Sequence, residues 1–183
     1  MDAIVKAALA KWPKVPHCWG WLALDARGQW FMRDDRIQAA GPFPAVKGSR
    51  IDHEKLLAFI HRNYECDAEG CWFFQNGPQR VYVELEVTPW IWRVDEHGAL
   101  SAHTGAEAGA ARKVMLDEKG RLFVATDLGV GIVHTQDMHL AADLVERGAW
   151  VPEAVEAATL AEAFGYVISP QARQQREAGP PAR

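Results

Sequence analysis

Few residues in this chain stand at spacings that chemistry demands. Cys66 and Cys71 flank a short loop with C-x4-C spacing, near the pattern of structural zinc sites. Two further ligands are missing: the remaining thiol, Cys18, directly follows His17, and adjacent residues make a poor ligand pair. The cysteines read as free thiols, and no metal site is expected. His134 and His139 are five apart across a helix start; His53 and His61 border the apolar stripe of a helix. None stands in an H-E-x-x-H pattern, so each reads as a hydrogen-bonded packing residue. Ser49, Ser101 and Ser169 lie outside any G-x-S-x-G elbow. Gly129-Val130-Gly131 lacks the third Gly and the Lys of the nucleotide-binding fingerprints. Glu84 and Glu86 form a carboxylate pair about 7 Å apart along an extended chain, which a solvated strand face explains more simply. No catalytic residue and no cofactor is expected.

The eight tryptophans are the unusual feature. Trp90 and Trp92 share one face of a strand, as do Trp19 and Trp21 if that segment is extended; Trp72 leads into Phe73 and Phe74. Core packing, with each indole N–H finding a partner, accounts for most of them. The competing reading is an aromatic wall of a small-ligand pocket. The neighbouring strand, Arg80 to Val87, alternates Val81, Val83, Leu85 and Val87 with Arg80, Tyr82, Glu84 and Glu86. It predicts a half-buried antiparallel strand with one polar face. If a ligand site exists, the expected residues are Arg80, Tyr82 and Glu84, with Trp90 or Trp92 as the apolar wall.

The elements that must position these residues are punctuated by a recurring tetrapeptide. It occurs as Asp25-Ala-Arg-Gly28, Asp67-Ala-Glu-Gly70, Asp95-Glu-His-Gly98 and Asp117-Glu-Lys-Gly120. Asp opens a type I turn and Gly supplies the positive φ that realigns the partner strands, so four hairpin loops are predicted. Calcium binding would need carboxylates at alternate positions, which are missing. Helices are predicted over the first ten residues, over His53 to Tyr64 capped by Asp52, over Gln136 to Arg147 capped by Thr135, and from Pro152 to Gly165. Two units share the order hairpin, extended stretch, helix: Trp19 to Tyr64, with an insertion over Ala39 to Ser49, and Val114 to Arg147. The class is α+β, with mostly antiparallel sheets, helices packed on one side and two related α+β motifs.

With 183 residues, 49% of them hydrophobic and 24% charged, the chain has a globular composition. Residues 1–168 are expected to form one globular domain with sub-lobes 13–87 and 88–168. The polar stretch 169–183 is expected to be a disordered tail. A net charge of −4 gives no overall field attracting nucleic acid or anionic membrane, and neither partner is expected. No apolar run reaches the ~20 residues needed to span a bilayer. The N-terminal segment has Asp2 where a secretory signal is basic, and three unpatterned cysteines suit a reducing compartment; the expected location is the cytoplasm.

The segments Leu24-Asp25-Ala-Arg-Gly28-Gln-Trp30, Leu56-Leu57-Ala-Phe59-Ile60, Asp67-Ala-Glu-Gly70-Cys-Trp72-Phe73-Phe74, Gly77-Pro78-Gln-Arg80-Val81 and Thr88-Pro89-Trp90 resemble an uncharacterised, mostly proteobacterial family of about this length. Its function is unknown. The order of elements is also similar to that of a family of unknown function built from two repeated α+β motifs and linked to signalling through a ligand pocket. There a Thr-Pro segment, not Asn76-Gly77-Pro78, precedes the charged strand. The resemblance spans roughly residues 19–148, rests on turns and aromatics, and transfers no catalytic residue. The resulting expectation is a non-enzymatic protein that binds a small molecule or a protein partner in a regulatory or accessory role. The alternatives are an enzyme using His134, His139 or Glu84, and a protein-interaction module using exposed Trp.

Overall fold

Residues 1–179 are described in the computed structural model of the chain. They divide into two compact units. One comprises Met1–Asp25, Gln29–Glu86 and the chain from Tyr166 onward; the other comprises Ala26–Gly28 and Val87–Gly165.

The first unit opens with helix α1 (Ala3–Lys11) and strands β1 (Cys18–Leu24) and β2 (Trp30–Met32). Helix α2 (Asp35–Ala40), β3 (Ser49–Arg50) and helix α3 (Glu54–Arg62) follow, then β4 (Tyr64–Cys66), β5 (Trp72–Asn76) and β6 (Gln79–Leu85). The sheet order is β3-β2-β1-β6-β5-β4. All neighbours are antiparallel except the central pair, β1 and β6, which run parallel. Helix α3 is capped by His53, not Asp52: His53 Nδ1 accepts from Leu56 N at 3.3 Å. Its Phe59 meets Phe74 of β5 edge-on at 5.4 Å.

The second unit runs through β7 (Trp90–Val94), β8 (Leu100–Ala102), β9 (Glu107–Gly109), β10 (Lys113–Asp117), β11 (Leu122–Thr126) and β12 (Gly129–Val133). A 3-10 turn, Thr135–Asp137, leads into helix α4 (Met138–Glu146). Strand β13 (Glu153–Val155), a second 3-10 turn and helix α5 (Leu160–Ala163) complete it. The sheet order is β13-β10-β11-β12-β7-β8-β9. The helix expected from Pro152 to Gly165 is thus only its last turn. Ala and Glu favour a helix there, but Glu153–Val155 instead pairs parallel with Met115–Asp117, so tertiary pairing overrides local propensity.

The six strands of the first sheet recur in the same order in the second, which adds β13 at one edge. Leu22 opposite Met32 and Leu24 opposite Trp30 become Trp92 opposite Ala102 and Val94 opposite Leu100. Tyr64–Phe74 becomes Val114–Val124, and Phe73–Tyr82 becomes Phe123–Ile132. The parallel closure Leu22–Val83 becomes Trp92–Val133. The repeat therefore matches β1–β6 with β7–β12, not Trp19–Tyr64 with Val114–Arg147. Matching a hairpin followed by a helix misaligned it, because the helices occupy different joints. α2 and α3 lie between β2 and β4, whereas α4 follows β12.

Four hairpin loops close identically. Asp25, Asp67, Asp95 and Asp117 each accept at Oδ1 from the backbone N–H four residues on, at 2.8–2.9 Å. Gly28, Gly70, Gly98 and Gly120 each have φ between 72° and 84°, the left-handed conformation that such loops need.

From Tyr166 the chain belongs to the first unit again and forms helix α6 (Pro170–Ala178), capped by Ser169, whose Oγ accepts from Ala172 N at 3.1 Å. Most of the stretch expected to be a disordered tail is therefore a docked helix; residues 180–183 lie outside the described residues. The ladder puts Phe73, Tyr82 and Glu84 on one face of the sheet and Phe74, Val81 and Val83 on the other. α3 packs on the Phe74 face, while α6 binds Glu84, so helices cover both faces of this sheet. The strand expected to be half-buried is buried on both over its second half, where Tyr82, Val83, Glu84 and Leu85 are all in the interior, while Gln79, Arg80 and Val81 are half-buried. Among the described residues no helix is long and apolar enough to cross a membrane.

Candidate functional site

The first unit carries a cleft of about 610 Å³, within the size range of small-ligand sites. The Asp67–Gly70 loop and Cys66 and Cys71 beside it form one side. Arg80 and Tyr82 of β6 and Trp19 of β1 form the floor, and Pro170, Arg173, Gln174 and Glu177 of α6 close the other side.

The Trp19 ring stacks on Tyr82 at 3.9 Å with 4° between planes. The parallel pairing of β1 with β6 brings them together. The Tyr82 hydroxyl donates to Asp67 Oδ2 at 3.1 Å. Asp67 Oδ1 is already engaged, accepting from Glu69 N and Cys71 N at 2.9 Å each. The Arg80 guanidinium lies 4.4 Å from the centre of the Phe73 ring, a cation–π contact. Among the described residues no carboxylate forms an ion pair with Arg80. Arg173, by contrast, is paired with two carboxylates: it donates to Glu69 Oε2 at 2.7 Å, the Glu69 carbonyl at 3.1 Å and Glu177 Oε1 at 2.9 Å.

Burial raises the pKa of the Tyr82 hydroxyl, with Arg80 opposing and Asp67 adding. Burial and the Arg80 charge push the His17 imidazole below its ordinary range, against Asp67; His17 stands edge-on to Tyr82 at 5.7 Å. Burial, then Asp67, pushes both the Cys66 and Cys71 thiols up to about 11. Thiols so raised are poor nucleophiles near neutral pH. The cleft is thus equipped to hold a molecule by stacking, hydrogen bonds and charge.

Of the residues expected at a site, the cleft contains Arg80 and Tyr82. Glu84, on the same strand face, is spent on structure: it is 5% exposed and accepts from the Ser169 hydroxyl and, at 3.0 Å, from Gln171 N. Trp90 and Trp92 are not its wall. They belong to the second unit and stack at 5.8 Å within its core, and Trp92 is fully buried. Their indole N–H groups donate to the carbonyls of Leu128 and Val124 at 2.9 and 2.8 Å. Gly131 lies so close beneath Trp92 that a Cβ there would sit 2.5 Å from Nε1. The wall is Trp19. Of the residues suggested for catalysis, His134 Nδ1 accepts from Gln136 N as the cap of the 3-10 turn, and His139 is exposed on α4. Sequence reasoning missed Trp19, Asp67 and Arg173 as site residues. Asp67 carried a signal, since a strand pairing Phe73 with Tyr82 aims the hydroxyl at the loop. Arg173 carried none, in a segment without apolar periodicity.

The family described as protein of unknown function (DUF2946) matches residues 1–171. The chain belongs to this family. None of the curated proteins matches it. Two solved structures match the chain weakly. One is the crystal structure of a DUF1285 family protein from Silicibacter pomeroyi DSS-3, 13% identical, covering 79% of this chain and 85% of that one, TM-score 0.48. The other is a DUF1285 family protein from Shewanella baltica OS155, 14% identical, covering 67% and 91%, TM-score 0.42. The family and both neighbours are of unknown function or carry only a family label, so no activity follows from them.

Proposed function

We propose that the protein is a non-enzymatic binder of a small molecule bearing an anionic group, which it holds in the first unit's cleft. One observation carries this reading: Arg80 and Tyr82 are not what the fold requires at their positions. The repeat places Val130 and Ile132 at the matching points of β12, where apolar residues suffice. In the first unit these points hold a guanidinium without a carboxylate partner among the described residues and a hydroxyl beside a stacked indole. Arg pairs with carboxylate or phosphate by charge-assisted hydrogen bonds, and Trp19 offers a planar apolar surface. The raised thiols favour binding over covalent chemistry. Three free cysteines support a cytoplasmic location.

Native mass spectrometry of the freshly purified protein tests the reading. The expected result is extra mass that denaturation removes and that Arg80→Ala abolishes while the protein stays folded, melting lower by no more than the few degrees that loss of the Phe73 contact costs. Bound mass retained by a folded Arg80→Ala protein overturns the assignment of the site; loss of folding makes Arg80 structural.

A further inference from the structure

Among the described residues the charges around the cleft do not close, and the way they fail to close selects a ligand. Asp67, Glu69 and Glu177 face Arg80 and Arg173. Arg173 takes both Glu69 and Glu177, leaving Asp67 and Arg80. These two carry opposite charges, and both act on the Tyr82 hydroxyl, yet they are not an ion pair. Among the described residues the Asp67 carboxylate receives only neutral donors: two backbone N–H groups and the Tyr82 hydroxyl. Each of its oxygens can accept about two hydrogen bonds, so Oδ2 retains capacity. The cleft therefore offers a cation and an anion side by side, each short of a charged partner, with the Trp19 ring stacked beside them.

We infer that the ligand is a zwitterion, an α-amino acid with an aromatic side chain. Its carboxylate meets Arg80, its ammonium meets Asp67, and its ring lies against Trp19. This deepens the proposed function and rests on the cleft being the ligand site. A monovalent anion satisfies Arg80 and leaves Asp67 as it is; a monovalent amine does the reverse. Only a molecule carrying both charges a few ångströms apart satisfies both ends. Sites built around hydrogen-bonded polar groups discriminate strongly against analogues lacking one of them.

The test titrates three probes into the full-length protein by calorimetry: L-phenylalanine, 3-phenylpropionate, which lacks the ammonium, and phenethylamine, which lacks the carboxylate. The expected result is that L-phenylalanine binds at least about tenfold more tightly than either analogue. Asp67→Asn, which keeps the turn-capping oxygen, should weaken L-phenylalanine to the level of 3-phenylpropionate and leave 3-phenylpropionate unchanged. If either analogue binds wild-type protein as tightly as L-phenylalanine, the zwitterion is overturned; this comparison stands even if Asp67→Asn fails to fold. If no probe binds while an Arg80-dependent adduct persists in native mass spectrometry, the inference falls and the cleft reading survives. If neither is seen, both fall.

Discussion

Glu84→Ala separates the structural part of the β6 face from its binding part. Glu84 accepts from Gln171 N at 3.0 Å and from the Ser169 hydroxyl, and that hydroxyl oxygen also caps α6 through Ala172 N at 3.1 Å. One carboxylate thus holds the first turn of a polar helix. Truncation leaves two buried or half-buried donors without their acceptor, at about 1–3 kcal/mol each. Relief of the carboxylate's own burial offsets part of this, so a net loss of about 2–4 kcal/mol is expected. α6 lies near the chain end, and the loss should appear as local opening rather than global unfolding. At about tenfold per 1.4 kcal/mol, amide exchange in Pro170–Ala178 should accelerate from about thirtyfold to several hundredfold. Trypsin should gain access to the bond after Arg173. Hydrogen exchange resolved by mass spectrometry reads this directly, and Glu84→Gln, which keeps an acceptor, should restore most of the protection. Unchanged exchange in α6 of the Ala variant would refute the docking role.

The same residue sets a pH dependence. Burial holds the Glu84 carboxyl above its ordinary value of 4.5, against the opposing pull of Ser169, Gln171 N and the Arg33 charge. A raised acid contributes stability that is fully present below its unfolded pKa and is lost as pH rises through the folded one. Protection of α6 should therefore fall as pH rises above about 4.5, and the trend should vanish in Glu84→Gln. Asp137 has the opposite sign: its bond to Arg93 holds it below 3.8, so its contribution is present above that value and lost on further acidification. Melting of Asp137→Asn should lack this acid limb. Gly131→Ala places a Cβ 2.5 Å from Trp92 Nε1 and 2.7 Å from the Trp90 carbonyl oxygen. Overpacking of this kind costs about 1–3 kcal/mol or more, so the second unit should melt several degrees lower; an unshifted melt would contradict the close packing.

Local chemistry was legible in the sequence, and contacts distant along the chain were not. The four D-x-x-G loops could be read because each Asp binds a backbone group four residues away, and the loops with their flanking strands carried the α+β class. The polar side of RVYVELEV was misread for the opposite reason. Alternation predicts a solvated face, but Ser169 and Gln171, more than eighty residues on, cover Glu84. α6 itself has too little apolar surface to announce a helix; its cap and Arg173 dock it. Trp90 and Trp92 were legible as sharing one strand face and as candidates for core packing, but not as excluded from a pocket wall, since their lids are Gly131 and the carbonyls of Val124 and Leu128. Trp19 became part of the site only through the parallel β1–β6 pairing, which no local pattern encodes.

The internal repeat provides a control that a single copy would lack. Where both copies hold apolar residues, as at Phe73 and Phe123 or Val83 and Val133, the shared sheet accounts for them. Where one copy turns polar, as at Arg80 and Tyr82, the shared sheet alone does not account for the residue. Arg80→Val combined with Tyr82→Ile rewrites the first unit's floor in the language of the second. The exchange removes a cation–π contact worth about 0.5–1 kcal/mol at such a site and a Trp–Tyr stack worth about 0.5–1.5 kcal/mol. It also removes the Tyr82–Asp67 hydrogen bond, while Asp67 keeps its two backbone donors. Against these stand the gain from β-branched residues in a central strand and relief of a cation held near buried apolar groups. The terms nearly cancel, so the double variant should fold with stability within about 2 kcal/mol of wild type and retain no bound ligand. A variant that fails to fold would mean that Arg80 and Tyr82 hold the sheet together, and the difference between the repeats would then say nothing about binding.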